Sequence, residues 1–222
     1  MVVVPESSVV INVVLHTLYD LSCAQYTPTF DTLSKAIASM QKYGVTLKDR
    51  IAPSTPLFAL LTSYAPVIPL PLYTLAAKFD LYDLAAFISS YSHSIPLSSL
   101  TDEMAEEIGP VYLKRLFFLH YGRADALRRI LASPPHPHPP TRECDLTEQK
   151  KLSRAWVLAS AYLGWDARPD LPNSEIEKAL SPLGDHVCPL CRENLKVRIE
   201  KLEKQWADIK VRVFFFIFGC FS

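Results

Sequence analysis

Glycine is scarce in this chain, with six residues in 222. No two of them lie close enough to build a phosphate-cradling loop, so Walker and dinucleotide-binding motifs are absent. Few glycines also leave few places for tight hairpins, which argues against an extensive β-sheet. An excess of one charge is missing as well: 23 basic and 23 acidic residues give a formal net charge of zero. No global field therefore favours nucleic acid or an anionic membrane surface. The longest apolar run, residues 213–218, is far short of the roughly 20 residues a membrane-spanning helix needs. The start, Met1-Val2-Val3-Val4-Pro5-Glu6, has no basic region and is interrupted before a signal-peptide core can form. Cysteine is sparse and odd in number, at 23, 144, 188, 191 and 220, which is no disulfide framework. Reduced thiols and the absence of a leader predict a cytoplasmic or nuclear protein. His-Glu-x-x-His and Gly-x-Ser-x-Gly do not occur, so no catalytic residue is assigned and no enzyme is expected.

Apolar residues make up 49% of the chain and charged ones 21%, a globular balance. The eighteen prolines fall between apolar stretches and predict many short helices. Ser7 or Ser8 is placed to cap a first helix ending near Tyr19, and Thr29 or Asp31 a second ending near Gly44. Thr55-Pro56 opens a third. Further helices are expected over 70–78 and 82–92, and from Thr101. Another is expected from Pro110, ending at Gly122, with helix resuming over 124–132. Asp125 sits three and four residues before Arg128 and Arg129, a supportive charge pair. A helical unit recurs with an offset of 78 − 42 = 36 residues, as Lys42-Tyr43-Gly44-Val45 and Lys78-Phe79-Asp80-Leu81 each close an apolar helix. Two copies are fewer than a free-standing solenoid needs, so the pair belongs to a larger helical body.

Ser133-Pro-Pro-His-Pro-His-Pro-Pro140 can be neither helix nor strand and predicts a semi-rigid spacer between domains. Beyond it a long helix is expected over 146–163, then a short one with a Ser174/Glu177 capping box. A last helix over about 188–213 carries Leu195, Ile199, Leu202, Trp206, Ile209 and Val213 at heptad spacing. Packing of that seam on Trp156 and its neighbours is the expectation, because fewer than three heptads do not sustain a free coiled coil.

Cys188-Pro-Leu-Cys191 is the sharpest local motif. Its two thiols have the spacing of two corners of a zinc tetrahedron. His186, Cys144, His136 and His138 are available as further ligands, but no second Cys-x-x-Cys exists. His136 and His138 do not share a face in polyproline geometry and are expected to be solvated. His120 lies on an apolar stripe and reads as a core histidine. Lys114, Arg115, Arg123, Arg128 and Arg129 form a local basic cluster without a DNA-binding motif, so no nucleic acid is expected.

Leu33, Ala36, Ile37 and Met40 leading into Lys42-Tyr43-Gly44-Val45, preceded by Val9 to Tyr19, resemble the second half of a BTB/POZ domain. More broadly, residues 9–210 are similar to a group of BTB-domain proteins common in mushroom-forming fungi. The matching stretches include Ile51-Ala-Pro-Ser-Thr-Pro-Leu57, Tyr112-Leu-Lys-Arg-Leu-Phe-Phe-Leu-His120 and Trp165-Asp-Ala-Arg-Pro169. The resemblance implies a non-enzymatic adaptor that binds protein partners. It also implies dimerisation and cullin-scaffold binding. This chain, however, begins after the strands and helices that build most of the family's dimer surface, with Val2-Val3-Val4 as the remnant of the last strand.

The fold class expected is mainly α with little or no β-sheet. Residues 1–50 form the C-terminal half of a BTB-like fold and 51–132 a region of stacked helical hairpins. Residues 133–141 are a Pro/His linker and 142–213 a helical bundle. The tail 214–222 is expected to be non-native, from translated non-coding sequence, and the chain incomplete at both ends. The expected function is protein–protein interaction through apolar helix faces, with homo-oligomerisation open and no membrane partner. No cofactor and no metal ligand are assigned. The alternative is a zinc-stabilised regulatory protein that uses Cys188 and Cys191.

Overall fold

The computed structural model describes residues 4–209, and among these there are ten α-helices and no β-strand. The fold is mainly α, as the glycine poverty and proline punctuation predict. The helices are α1 (Ser8–Leu18), α2 (Phe30–Lys42), α3 (Leu47–Arg50), α4 (Pro56–Ser63) and α5 (Pro69–Lys78). They continue with α6 (Tyr82–Ser89), α7 (Asp102–Leu131), α8 (Leu146–Trp165), α9 (Asn173–Leu180) and α10 (Pro189–Ala207). None is long and apolar enough to cross a membrane.

The caps form where the hydroxyls stand. Val10 donates its N–H to Ser7 Oγ at 3.4 Å, Thr32 to Thr29 Oγ1 at 3.2 Å and Phe58 to Thr55 Oγ1 at 3.3 Å. The 36-residue recurrence is a recurrence of helix endings. After α2, Gly44 adopts φ 76°, its N–H reaches Gln41 O at 3.0 Å, and Val45 N–H reaches Met40 O at 2.9 Å. After α5, Asp80 adopts φ 52°, with bonds to Ala77 O at 3.1 Å and from Leu81 N–H to Ala76 O at 2.8 Å. Both are Schellman endings, in which the two turns satisfy the last carbonyls. The lysine of each pair bridges a glutamate elsewhere, Lys42 to Glu6 and Lys78 to Glu107, both at 2.9 Å. A third copy follows α1, where Asp20 takes φ 54° and Leu21 N–H reaches His16 O at 2.8 Å. Sequence reading passes over it because Leu18-Tyr19-Asp20-Leu21 has neither the lysine nor the glycine.

The packing divides the chain inside α7, into one compact unit up to Phe117 and a second from Phe118. The first unit has a continuous core from Val10 through Leu33, Ile37, Leu61, Leu72, Tyr73 and Leu84 to Leu116. Each such side chain contributes on the order of 1.5–3 kcal/mol by burial. The expected boundary at residue 50 is therefore no break in packing. In the second unit Leu127 and Leu131 join Leu152, Trp156, Ile176, Leu195, Ile199, Leu202 and Trp206. The heptad seam on α10 thus packs in one cluster with Trp156, as its spacing predicts.

Three local expectations need correction. Residues 133–141 are not the seam between units: the segment is neither helix nor strand, but side chains from both sides of it share one core. Gly122 does not end a helix, because α7 continues to Leu131, and the break falls instead at Gly109 (φ 71°, ψ 163°) just before Pro110. A mid-helix glycine costs only about 1 kcal/mol, less than the burial of Leu116, Leu127 and Leu131 along the same helix contributes. Ser174 does not cap α9; the cap position falls two residues earlier, at Pro172, with no side-chain cap. The expectations for residues 1–3 and for the apolar tail 214–222 lie outside the described residues. So does the last turn expected for the final helix.

Candidate metal centre

Four possible ligand atoms from three stretches of the second unit meet at the start of α10. They belong to His138, Cys144, Cys188 and Cys191, and all lie within 4.8 Å of one another. Cys188 is the N-cap of α10, in extended backbone (φ −62°, ψ 159°), with Pro189 in the first turn. Its sulfur accepts the Cys191 N–H at 3.3 Å. The same helix start that makes a Cys-x-x-Cys motif thus turns both thiols to one side.

Cys144 precedes α8 in a tight turn. Thr141 N–H donates to Cys144 O at 3.0 Å and Cys144 N–H to Thr141 Oγ1 at 3.1 Å. Asp145 then caps α8 by accepting from the N–H groups of Thr147 and Glu148 at 2.8 and 2.9 Å.

His138 is delivered by the proline segment, which is docked rather than solvated. Its backbone exchanges two bonds with the Gln149 amide, N–H to Oε1 at 3.1 Å and Nε2 to O at 3.0 Å. Asn194 Nδ2 holds the carbonyl of His136 at 2.9 Å. Arg198 Nε holds that of Ser133 at 2.9 Å, and Arg198 Nη2 holds Ile130 O. Pro135 and His138 are buried while His136 is exposed. A polyproline repeat of three residues produces that pattern. The expectation that His136 and His138 point different ways holds. The expectation that both are solvated fails for His138, which is 8% exposed.

The distances suit a tetrahedral ion. Thiolates about 2.3 Å from one zinc lie about 3.8 Å apart at the tetrahedral angle, and Cys144 Sγ and Cys191 Sγ are separated by 3.8 Å. His138 Nε2 lies 3.2 Å from Cys188 Sγ. Its other nitrogen, Nδ1, is 2.7 Å from the Pro139 carbonyl, which can only accept. Nδ1 therefore carries a proton and Nε2 faces the thiols: it donates to the Cys188 thiolate when the ring is protonated and offers its lone pair when the ring is neutral. A second bond of that kind orients metal-binding histidines.

Burial works against ionisation of Cys188. The Cys191 N–H and hydrogen bonds from Cys144, His138 and Cys191 outweigh it and bring the thiol down to about 7. Burial pushes the Cys191 and Cys144 thiols up. The bond to the Pro139 carbonyl, opposed by burial and helped by Cys188, raises His138. Three crowded thiols in a poorly solvated corner are costly as free thiolates, and a dication removes that cost.

The expectation of no metal ligand rests on the Cys188/Cys191 pair alone; the fold brings two further candidate donors beside it. From the four extra ligands the sequence offers, it selects Cys144 and His138 and leaves His136 and His186 exposed. A His-x5-Cys pair ahead of the Cys-x-x-Cys is the signal present in the sequence. The other residues singled out there have structural work. His120 is buried on α7. Arg123 holds the carbonyls of Pro169 and Ile209 at 2.7 and 3.0 Å, Arg128 holds that of Gly164 at 2.9 Å, and Arg129 pairs with Asp125 at 3.1 Å.

Elsewhere, the groove beside Phe30, Thr74 and Met104 in the first unit contains Lys78 and Glu107, already joined to each other. No protein-family model, no curated protein and no solved structure matches this chain. What the centre does must therefore come from its own chemistry.

Proposed function

We propose that the protein is a non-catalytic, partner-binding helical protein whose second unit is built around a structural zinc ion. The observation that carries this reading is the convergence of one imidazole and three thiols from separate stretches of chain within 4.8 Å. Softness favours zinc, because a Cys3His set is a zinc-type donor set, whereas magnesium and calcium need oxygen. A full set of four protein ligands leaves no position for a substrate or an activated water, which makes the role structural. His138, Cys144, Cys188 and Cys191 would hold the ion. It would neutralise the thiolates and tie the proline segment and the start of α8 to α10.

Partner binding is favoured by a separate observation. α8 exposes Val157, Leu158, Tyr162 and Trp165, the last 92% exposed, on a helix that also buries Leu152, Trp156 and Leu163. Leu158, Tyr162 and Trp165 are spaced four and three residues apart, which is one face of a helix. Helix faces of this kind are recognised by protein grooves. The resemblance of residues 9–45 to BTB/POZ domains points to a protein partner too, in the cytoplasm or nucleus.

Metal analysis of protein purified without added chelator tests the zinc reading. About one zinc per chain is expected, falling to near zero in Cys191→Ser, while Cys23→Ser, in the other unit, keeps its metal. Wild-type protein that contains no zinc and takes up none would overturn it.

A further inference from the structure

We propose that Cys188 and Cys191 form a thiol switch: peroxide oxidises them to a disulfide and the centre releases its metal. This rests on the zinc reading above and adds how the site is regulated. Three features of the geometry support it. Cys188 is the only partly exposed thiol of the three, whereas Cys144 and Cys191 are 3% and 4% exposed. An oxidant therefore meets Cys188 first. Cys191 is the next thiol along the same helix start, with its N–H already on the Cys188 sulfur at 3.3 Å. Cys188 stands at the N-cap in extended backbone, which folds its sulfur back over the first turn to the Cys191 backbone, and all four donor atoms lie within 4.8 Å of one another, so a disulfide closes with a small adjustment of the cap. Finally, the pair supplies both metal ligands of α10, so one disulfide removes half the coordination at once.

The chemistry balances. The Cys188 thiolate attacks one oxygen of hydrogen peroxide, the O–O bond breaks, and a sulfenic acid and hydroxide form. The Cys191 thiolate then attacks Cys188 Sγ, the S–O bond breaks, and a second hydroxide leaves as the S–S bond forms. Two sulfurs have lost two electrons and the peroxide has gained them. Zinc is left with His138 and Cys144 and dissociates. The new bond lies within the first turn of α10 and ties nothing else down. The stretch carrying His138 and Cys144 loses its link to that turn, while Gln149, Asn194 and Arg198 still hold residues 133–138. The segment freed is therefore the tip around Arg142, which is exposed.

The experiment starts from reduced, zinc-loaded wild-type protein whose zinc content is measured first. Hydrogen peroxide is added with a metallochromic indicator, and the product is examined by intact mass, peptide mapping and limited trypsin digestion. The expected results are release of one zinc per chain, a loss of two hydrogens, and a Cys188–Cys191 disulfide. Cleavage after Arg142 should become about tenfold faster, as a locally opened loop is. Dithiothreitol with zinc should reverse all of these. Reduced protein with no zinc would sink the parent reading. Protein that holds zinc but retains it under peroxide sufficient to oxidise a free thiol would overturn the switch alone. So would a disulfide mapped to Cys144–Cys191, because that bond joins α8 to α10 and keeps the segment closed.

Discussion

Stripping the metal with a chelator is expected to lower the unfolding temperature of the second unit by roughly 15–30 °C and to leave the first unit within a few degrees. The size follows from linkage. A ligand present at about a thousand times its dissociation constant stabilises the folded state by about 4 kcal/mol. The second unit spans Phe118–Val211, 211 − 118 + 1 = 94 residues, and for a domain of that size each kcal/mol is worth about 4–8 °C. All three tryptophans, at 156, 165 and 206, lie in this unit. Tryptophan fluorescence therefore follows it alone, while far-ultraviolet circular dichroism follows both. With zinc, the two probes should report late fluorescence loss. After chelation the fluorescence transition should move below the main helical one. A fluorescence midpoint that shifts by less than about 5 °C would mean that the four donors are merely packed together.

The second large effect is expected at Trp156. Its side chain is 0% exposed, its Nε1–H donates to Leu131 O at 2.8 Å, and the Arg198 guanidinium lies 5.5 Å from its ring centre. The indole thus fills the middle of the core and also satisfies a carbonyl at the end of α7. Trp156→Ala removes both and should cost about 3–5 kcal/mol. Trp156→Phe keeps most of the bulk and loses the donor. Ser160 Oγ also donates to Leu131 O, at 3.2 Å, so the carbonyl is not orphaned and the cost should be closer to about 1–2 kcal/mol. Trp165→Ala, at an exposed site, should change stability by no more than about 0.5 kcal/mol. Urea midpoints at saturating zinc measure all three. A Trp156→Ala variant within 1 kcal/mol of wild type would contradict the core described here.

The helices were legible because their determinants are local. Ser7, Thr29 and Thr55 cap where they stand, Pro56 occupies a first turn, and apolar residues at three-to-four spacing mark the buried faces of α2 and α10. The centre was only half legible, for a physical reason. Cys188 and Cys191 share a helix start, so their spacing along the chain is their spacing in space. His138 and Cys144 reach them only because Gln149, Asn194 and Arg198 dock the proline segment, and these bonds join residues 11, 58 and 65 apart. Proline content alone predicts a segment that is neither helix nor strand, which is correct. It does not predict whether that segment is clothed by side chains from α8 and α10. The same long-range hydrogen bonds explain why the clearest compositional break in the chain is not a break in its packing. Gly122 misleads in the opposite sense, since a residue that often ends helices is outweighed by the leucines around it.

X-ray absorption at the zinc edge of the purified protein addresses the proposed zinc centre most directly. Three sulfur scatterers at about 2.3 Å and one nitrogen at about 2.0–2.1 Å are the predicted shell. A shell of oxygen and nitrogen only, or one with fewer than three sulfurs, would contradict it.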